Sequence, residues 1–135
     1  SIPQQQTSQN SPADLQERLF AAIRELPGVE VGGSAISVPG ARAFTVAQDD
    51  SRPDAFLVPS VGEFAHLHPT YDGSLHLALP TDLAADLSAK RWGRPHMWAG
   101  TRLSPGFVLV HGPRDEDEFA IVLGIVTASH AHATN

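Results

Sequence analysis

Cysteine is absent from this 135-residue chain. That removes disulfide scaffolds, thiolate zinc sites, iron–sulfur clusters and cysteine nucleophiles together. Positive charge is scarce: 9 basic residues, eight of them arginine, stand against 15 acidic ones, for a net charge of −6. A phosphate-tracking nucleic-acid binder needs a basic face, and so does a protein that docks on anionic lipid, so neither partner is expected. No apolar run is long enough to span a bilayer. Ser1–Asn10 has neither a basic n-region nor an apolar h-region, so no signal peptide is visible. The expected localisation is cytoplasmic or otherwise soluble, with a signal cleaved earlier left open. Motifs are missing too. There is no glycine-rich phosphate loop, no GxGxxG after a strand, no HExxH and no GxSxG, so nucleotide-dependent, zincin and ordinary serine-hydrolase readings have no motif behind them.

What is present fits one soluble domain. The length suits a single core, and 41% hydrophobic with 18% charged residues is an ordinary globular composition. The reading divides the chain into a mobile tail over residues 1–10, a domain over 11–129 and a second tail over 130–135. Within the domain, Ser11 opens a helix with Pro12 at its first position and Asp14 completing a capping pattern. Leu15, Leu19, Ala22, Ile23 and Leu26 give its apolar stripe, and Pro27-Gly28 ends it. Short strands follow, with Ile36 and Val38, then Phe44 and Val46, alternating with polar neighbours. A second helix runs from Thr81 to about Lys90 with Leu83 and Leu87 inward. Arg91–Gly100 reads as irregular, Phe107–Val110 as a buried strand, and Asp115 as the start of a last helix rich in acid at its positive end. The order α-β-β-β-β-α-β-α predicts an α+β fold, a mainly antiparallel sheet with about three helices on one face.

The informative unit is a hairpin. Phe64–His68 and Ser74–Leu79 alternate with period two around the turn-forming Pro69-Thr70-Tyr71-Asp72-Gly73. Ala65, Leu67, Leu75, Leu77 and Leu79 share one face; His66, His68, Ser74 and His76 share the other. Residues two apart on a strand stand about 6.6–7 Å apart, and the turn brings His76 across from its partners. His96 can close the group from the side. Each imidazole carries a donor and an acceptor, so several on one face suit either proton transfer or metal ligation. If a metal is held, His66, His68 and His76 are its ligands, with Asp72 in reach and an open position left for catalysis. The plainer alternative is a solvent-facing hairpin on which histidine is tolerated. Trp92 and Trp98 can wall a flat ligand, or serve as core anchors. Arg114 can clamp an oxyanion, or pair locally with Asp117 or Glu118. His111 reads as a structural histidine with its hydrogen bonds satisfied.

Several separated motifs resemble the fungal luciferase family, the enzymes that oxidise 3-hydroxyhispidin. Ala65-His66-Leu67-His68 and Asp72-Gly73-Ser74-Leu75-His76-Leu77-Ala78-Leu79 are similar to its central motif. Trp92-Gly93, His96 and Ala99-Gly100 resemble its Gly-Trp-Gly-x-x-His-Pro-Leu-Ala-Gly stretch, with Arg91 in place of the first glycine, Pro95 before the histidine and Met97-Trp98 in place of Pro-Leu. Gly112-Pro113-Arg114-Asp115-Glu116 and Ile125-Val126-x-Ala128-Ser129 match its later segment and final helix. The resemblance covers about residues 62–129. It implies a luciferase-like monooxygenase or dioxygenase that joins a 3-hydroxypyrone to O₂ without flavin or haem, through a histidine base and an enolate and peroxide. On that reading His66, His68, His76 and His96 are catalytic, Trp92, Trp98, Arg114 and Tyr71 bind a small aromatic or polyketide-like substrate, and no cofactor is expected. A metal-dependent enzyme built on the three hairpin histidines, and a non-catalytic small-molecule-binding module, are the alternatives.

Overall fold

The computed structural model describes residues 4–135. Helix α1 (Ala13–Arg24) is followed by β1 (Glu30–Gly33) and β2 (Arg42–Thr45), two 3₁₀ turns at Pro53–Ala55 and Pro59–Val61, and the hairpin β3 (Glu63–Leu67) and β4 (Leu75–Ala78). Then come α2 (Thr81–Ala89), β5 (Gly93–Pro95), β6 (Phe107–Val110) and α3 (Glu116–Thr134). The strands form one sheet in the order β1-β2-β3-β4-β6-β5, every neighbouring pair antiparallel. The α+β expectation is met, with β5 as a strand added inside the stretch read as irregular.

Strand alternation divides the sheet into two faces. Phe44, Ala65, Leu67, Leu75, Leu77, Val108 and Val110 point to one of them and join Leu19 and Ile23 of α1, Ala84 and Leu87 of α2, and Val122 and Val126 of α3 in the main core. All three helices therefore cover this face. The buried Ser129 hydroxyl donates to Ala78 O at 2.6 Å and pins α3 to the centre of the sheet. The opposite face carries Ala43, His66, His76 and Leu109 in directly paired register. There a smaller cluster of Leu57, Ala78 and Phe107 is buried.

One irregularity matters for the site. The pairing of β2 with β3 steps from Phe44↔Ala65 to Thr45↔Glu63, so Phe64 is an extra residue, a β-bulge. Phe64 and Ala65 both enter the main core. Beyond the bulge the alternation is shifted by one, and Glu63 lands on the histidine side.

Several local expectations are corrected. The N-cap of α1 is Pro12, with no side-chain cap; the Ser11 hydroxyl instead donates to Pro113 O, tying the helix start to the loop before α3. The first strand lies at Glu30–Gly33, ahead of Ile36 and Val38. In α2 the inward residues are Ala84 and Leu87, while Leu83 is 41% exposed, because this nine-residue helix lies over the sheet edge near β5 and presents a narrow face. Residues 130–134, read as a tail, continue α3: His130 Nε2 lies 2.7 Å from Pro27 O, its ring meets Phe64 edge-on, and Ala133 is buried. Of the tail read over residues 1–10, the first three lie outside the described residues. Gln4–Asn10 runs across the histidine face, bonded at Gln4, Gln6 and Asn10 to Pro95, Asp72 and Gly112.

Candidate functional site

The hairpin register sets His66 directly opposite His76, and the 3.1 Å approaches between ring nitrogens follow. His66 Nε2 and His68 Nε2 each lie 3.1 Å from His76 Nδ1. One ring nitrogen from each of the three comes within 4.8 Å of the others. All three residues are buried, at 5% exposure or less. The solvent-facing alternative for this hairpin face is thereby excluded.

Each ring is held from behind. Glu63 Oε2 lies 2.8 Å from His66 Nδ1, and the same carboxylate accepts from the Ser34 hydroxyl and the Ala35 N–H. His68 Nδ1 lies 2.9 Å from Ser74 Oγ, whose own proton goes to Asp72 Oδ1. Asp72 is fixed further by the Ser74 and Gln6 N–H groups. His76 Nε2 lies 2.8 Å from the Gln4 amide oxygen, while the amide nitrogen of Gln4 donates to Pro95 O. The turn that delivers Asp72 depends on Gly73. Its φ is +78°, and a Cβ there would lie 2.4 Å from Gln16 Nε2.

The electrostatics follow from burial. The His76 imidazolium is strongly disfavoured, first by desolvation and then by the charges of His66, His68 and His96. Desolvation also holds His66 below its ordinary value, although Glu63 pulls the other way. Burial alone would raise the Glu63 carboxyl, but the bonds from His66, Ala35 and Ser34 outweigh it and leave it below its ordinary value. Asp72 behaves alike, its burial outweighed by His68 and Ser74. At neutral pH His66 and His76 are thus neutral, and the Glu63 and Asp72 carboxylates are ionised.

His96 stands at the rim, its ring 5.6 Å from that of His76, and burial lowers its pKa. Its Nδ1 accepts from the Trp98 N–H at 3.1 Å, so the ring proton of the neutral form sits on Nε2. Trp98 lies beside it at 5.6 Å, and Phe107 packs against both His76 and His96. Together with Val38 and Leu103 these rings line a cavity of about 340 Å³ above the three histidines. Its mixture of apolar wall and a few convergent polar groups is that of a small-molecule site.

Of the eight residues singled out from sequence, the fold brings His66, His68, His76, His96 and Trp98 to this cavity. Trp92 and Arg114 line a separate cavity of about 330 Å³ with Arg91, Arg94 and His111. Arg114 pairs with Glu118 there, at 2.6 Å. Tyr71 is 68% exposed, and its hydroxyl accepts from Gln5. His111 differs from its expectation, since its Nδ1 is buried with no partner among the described residues. Sequence reasoning missed Glu63 and Gln4. A regular strand would have placed Glu63 with the leucines, and only the bulge turns it inward.

A family model described as "Luciferase domain" matches residues 61–129, just over half of the chain. Curated relatives agree over the same kind of span. A luciferase of Armillaria ostoyae is 39% identical over 77 residues, 54% of this chain and 29% of the relative. A luciferase of Neonothopanus nambi is 38% identical over 77 residues, 54% of this chain and 28% of the relative. The aligned stretch thus covers under a third of either relative. No solved structure gives a significant match. Among the described residues, no helix is long and apolar enough to cross a membrane.

Proposed function

This chain belongs to the Luciferase domain family, and we propose that its histidine pocket is the reaction centre of a luciferase-type oxygenase. Its substrate would be a flat enolic molecule of the 3-hydroxypyrone class, with O₂ as co-substrate. The observation that carries this reading is the convergence of three buried imidazole nitrogens at the floor of an aromatic-walled cavity.

The chemistry runs from the enol. A ring lying along Trp98 and Phe107 directs its enol oxygen at the three nitrogens. The enol proton passes to an imidazole nitrogen there, and His96, with its proton on Nε2, donates to the oxyanion that forms. The electron-rich carbon of the enolate then adds to O₂. A C–O bond forms, the enolate electron pair moves to dioxygen, and a peroxide anion results. That anion attacks the lactone carbonyl and closes a cyclic peroxide. Cleavage of its O–O bond, together with the carbon–carbon and ring carbon–oxygen bonds of the former lactone carbonyl, frees that carbon as CO₂ and leaves a ring-opened, oxidised product. Val38, Leu103 and Phe107 keep bulk water from these intermediates.

The test is oxygen uptake and light emission by the purified, untagged chain with 3-hydroxyhispidin and simpler 3-hydroxypyrones. The expected result is substrate-dependent O₂ consumption that falls roughly 100-fold or more, the scale of general acid–base catalysis, in His68→Ala and His96→Ala. A folded protein that consumes no O₂ with any hydroxypyrone overturns the reading.

A further inference from the structure

We propose that His66 Nε2, His68 Nε2 and His76 Nδ1 are the three protein ligands of a divalent transition-metal ion, whose remaining position faces the aromatic cavity. The inference rests on the functional reading above and alters one step of it: with the three nitrogens committed to the ion, the ion's open position, rather than a free imidazole nitrogen, would be what the enol oxygen meets.

Three independent features of the site converge on it. The first is tautomeric. The Glu63 carboxylate can only accept, so the neutral His66 ring carries its proton on Nδ1 and turns a lone pair out at Nε2. Ser74 gives its proton to Asp72 and must accept from His68 Nδ1, so His68 also presents a lone pair at Nε2. The amide of Gln4 is oriented by its bond to Pro95 O, which leaves its oxygen to accept from His76 Nε2–H. His76 therefore presents its lone pair at Nδ1. Three lone pairs aim at one place, with two of the nitrogen pairs 3.1 Å apart. Facing lone pairs repel one another, and a cation between them reverses the sign of every interaction.

The second feature is charge. Glu63 and Asp72 are both fully buried, and among the described residues neither has a lysine or arginine salt-bridge partner; the ion-pair partners found there are His66 and His68. Two carboxyl groups buried behind imidazoles, with no permanent cation beside them, are a costly arrangement. A dication held by those imidazoles offsets that cost.

The third is geometry and chemistry. Metal–nitrogen bonds of about 2.0–2.1 Å in tetrahedral coordination set nitrogens about 3.3–3.4 Å apart, so the 3.1 Å spacings need to open by only a few tenths of an ångström. Glu63 sits on the far nitrogen of His66, and Asp72 supports that of His68 through the Ser74 hydroxyl; such carboxylate support is usual for metal-bound histidine, fixing its tautomer and raising its basicity. An all-imidazole donor set suits zinc, iron, copper or nickel rather than magnesium or calcium. Three histidines with a further position open is the pattern of a catalytic site, not a structural one.

The experiment uses the untagged chain after treatment with EDTA and dialysis. It is titrated with Zn²⁺ by calorimetry and with Co²⁺ by visible absorption. The expected result is one ion per chain, with d–d bands of low-coordinate cobalt bearing nitrogen ligands. His76→Ala should abolish both signals, and Glu63→Gln should weaken binding roughly 10–100-fold. His111→Asn, in the other cavity, should retain full stoichiometry. Circular dichroism confirms that each variant is folded, and Glu63→Gln still tests the site if a histidine variant does not fold. A folded, EDTA-treated wild type that takes up no ion, or His76→Ala binding as wild type does, overturns the proposal. Undiminished hydroxypyrone oxidation by metal-free protein that binds no ion overturns the metal and leaves the oxygenase reading standing. Stoichiometric binding without any turnover does the reverse.

Discussion

Glu63 and His66 are three residues apart on one strand, yet their side chains meet at 2.8 Å in the interior. On a regular strand, residues three apart point to opposite faces. The bulge at Phe64 removes that parity and turns a carboxylate toward the ring it orients. The same carboxylate gathers the Ser34 hydroxyl and the Ala35 N–H, so it organises the segment between β1 and β2 as well as the site.

Replacing Glu63 by alanine should therefore destabilise the fold. Three donors lose their acceptor, of which the His66 ring is buried and the Ser34 and Ala35 groups only partly so, and a stranded buried donor costs about 1–3 kcal/mol. A loss of about 1–3 kcal/mol in urea unfolding is expected. Glu63→Gln, which keeps an acceptor oxygen, should lose less than half as much. Equal losses in the two variants would mean that shape, not hydrogen bonding, is what Glu63 supplies.

Stability should fall as the pH drops below neutrality. Burial holds His66 and His76 below their ordinary value of 6.5. The unfolded chain takes up protons near that value while the folded chain does not. Stability is thus complete above pH 6.5 and is lost as pH falls beneath it, by about 1.4 kcal/mol per pH unit for each histidine. Glu63 and Asp72, lowered in the fold, add a further loss at more acid pH, as they are forced to protonate. Urea unfolding of EDTA-treated protein between pH 7 and 5 checks the slope. His76→Gln should remove about one histidine's share of it.

Gly73→Ala should be among the costlier small substitutions. The position has φ +78°, and the new methyl would meet the Gln16 amide. A destabilisation of about 1–3 kcal/mol is expected from backbone strain alone. Adding Gln16→Ala should relieve only the clash. Full recovery in the double variant would show that the backbone tolerates the conformation.

Deleting residues 130–135 should lower the melting temperature clearly, although these residues lie far from the histidines in sequence. The deletion removes the His130–Pro27 bond, the edge contact with Phe64 and the buried Ala133. Scanning calorimetry of the truncated chain would show a change of under a degree if this turn were frayed.

Ligand binding should be visible in one tryptophan only. Trp98 lines the histidine cavity, while Trp92 lines the other. Quenching of fluorescence by a hydroxypyrone should persist in Trp92→Phe and disappear in Trp98→Phe. The opposite pattern would move the ligand to the arginine-lined cavity.

The sequence by itself determined the hairpin and its two faces. Period-two alternation is a local property, so His66, His68 and His76 could be placed together against a leucine face before any tertiary contact was known. The acidic start of the last helix, near Asp115, was legible because it too is local; the structure makes Asp115 its cap. Only the tertiary structure decided what surrounds those rings. Glu63 reaches His66 through a bulge, a defect in the very periodicity by which strands are read. Gln4 reaches His76 across 72 residues. Trp92 and Arg114 went to a second cavity because β5 pairs along β6 and carries its neighbours toward α3. Spacing along a chain fixes which residues share a face; which partners close over that face depends on strand order and on a single extra residue.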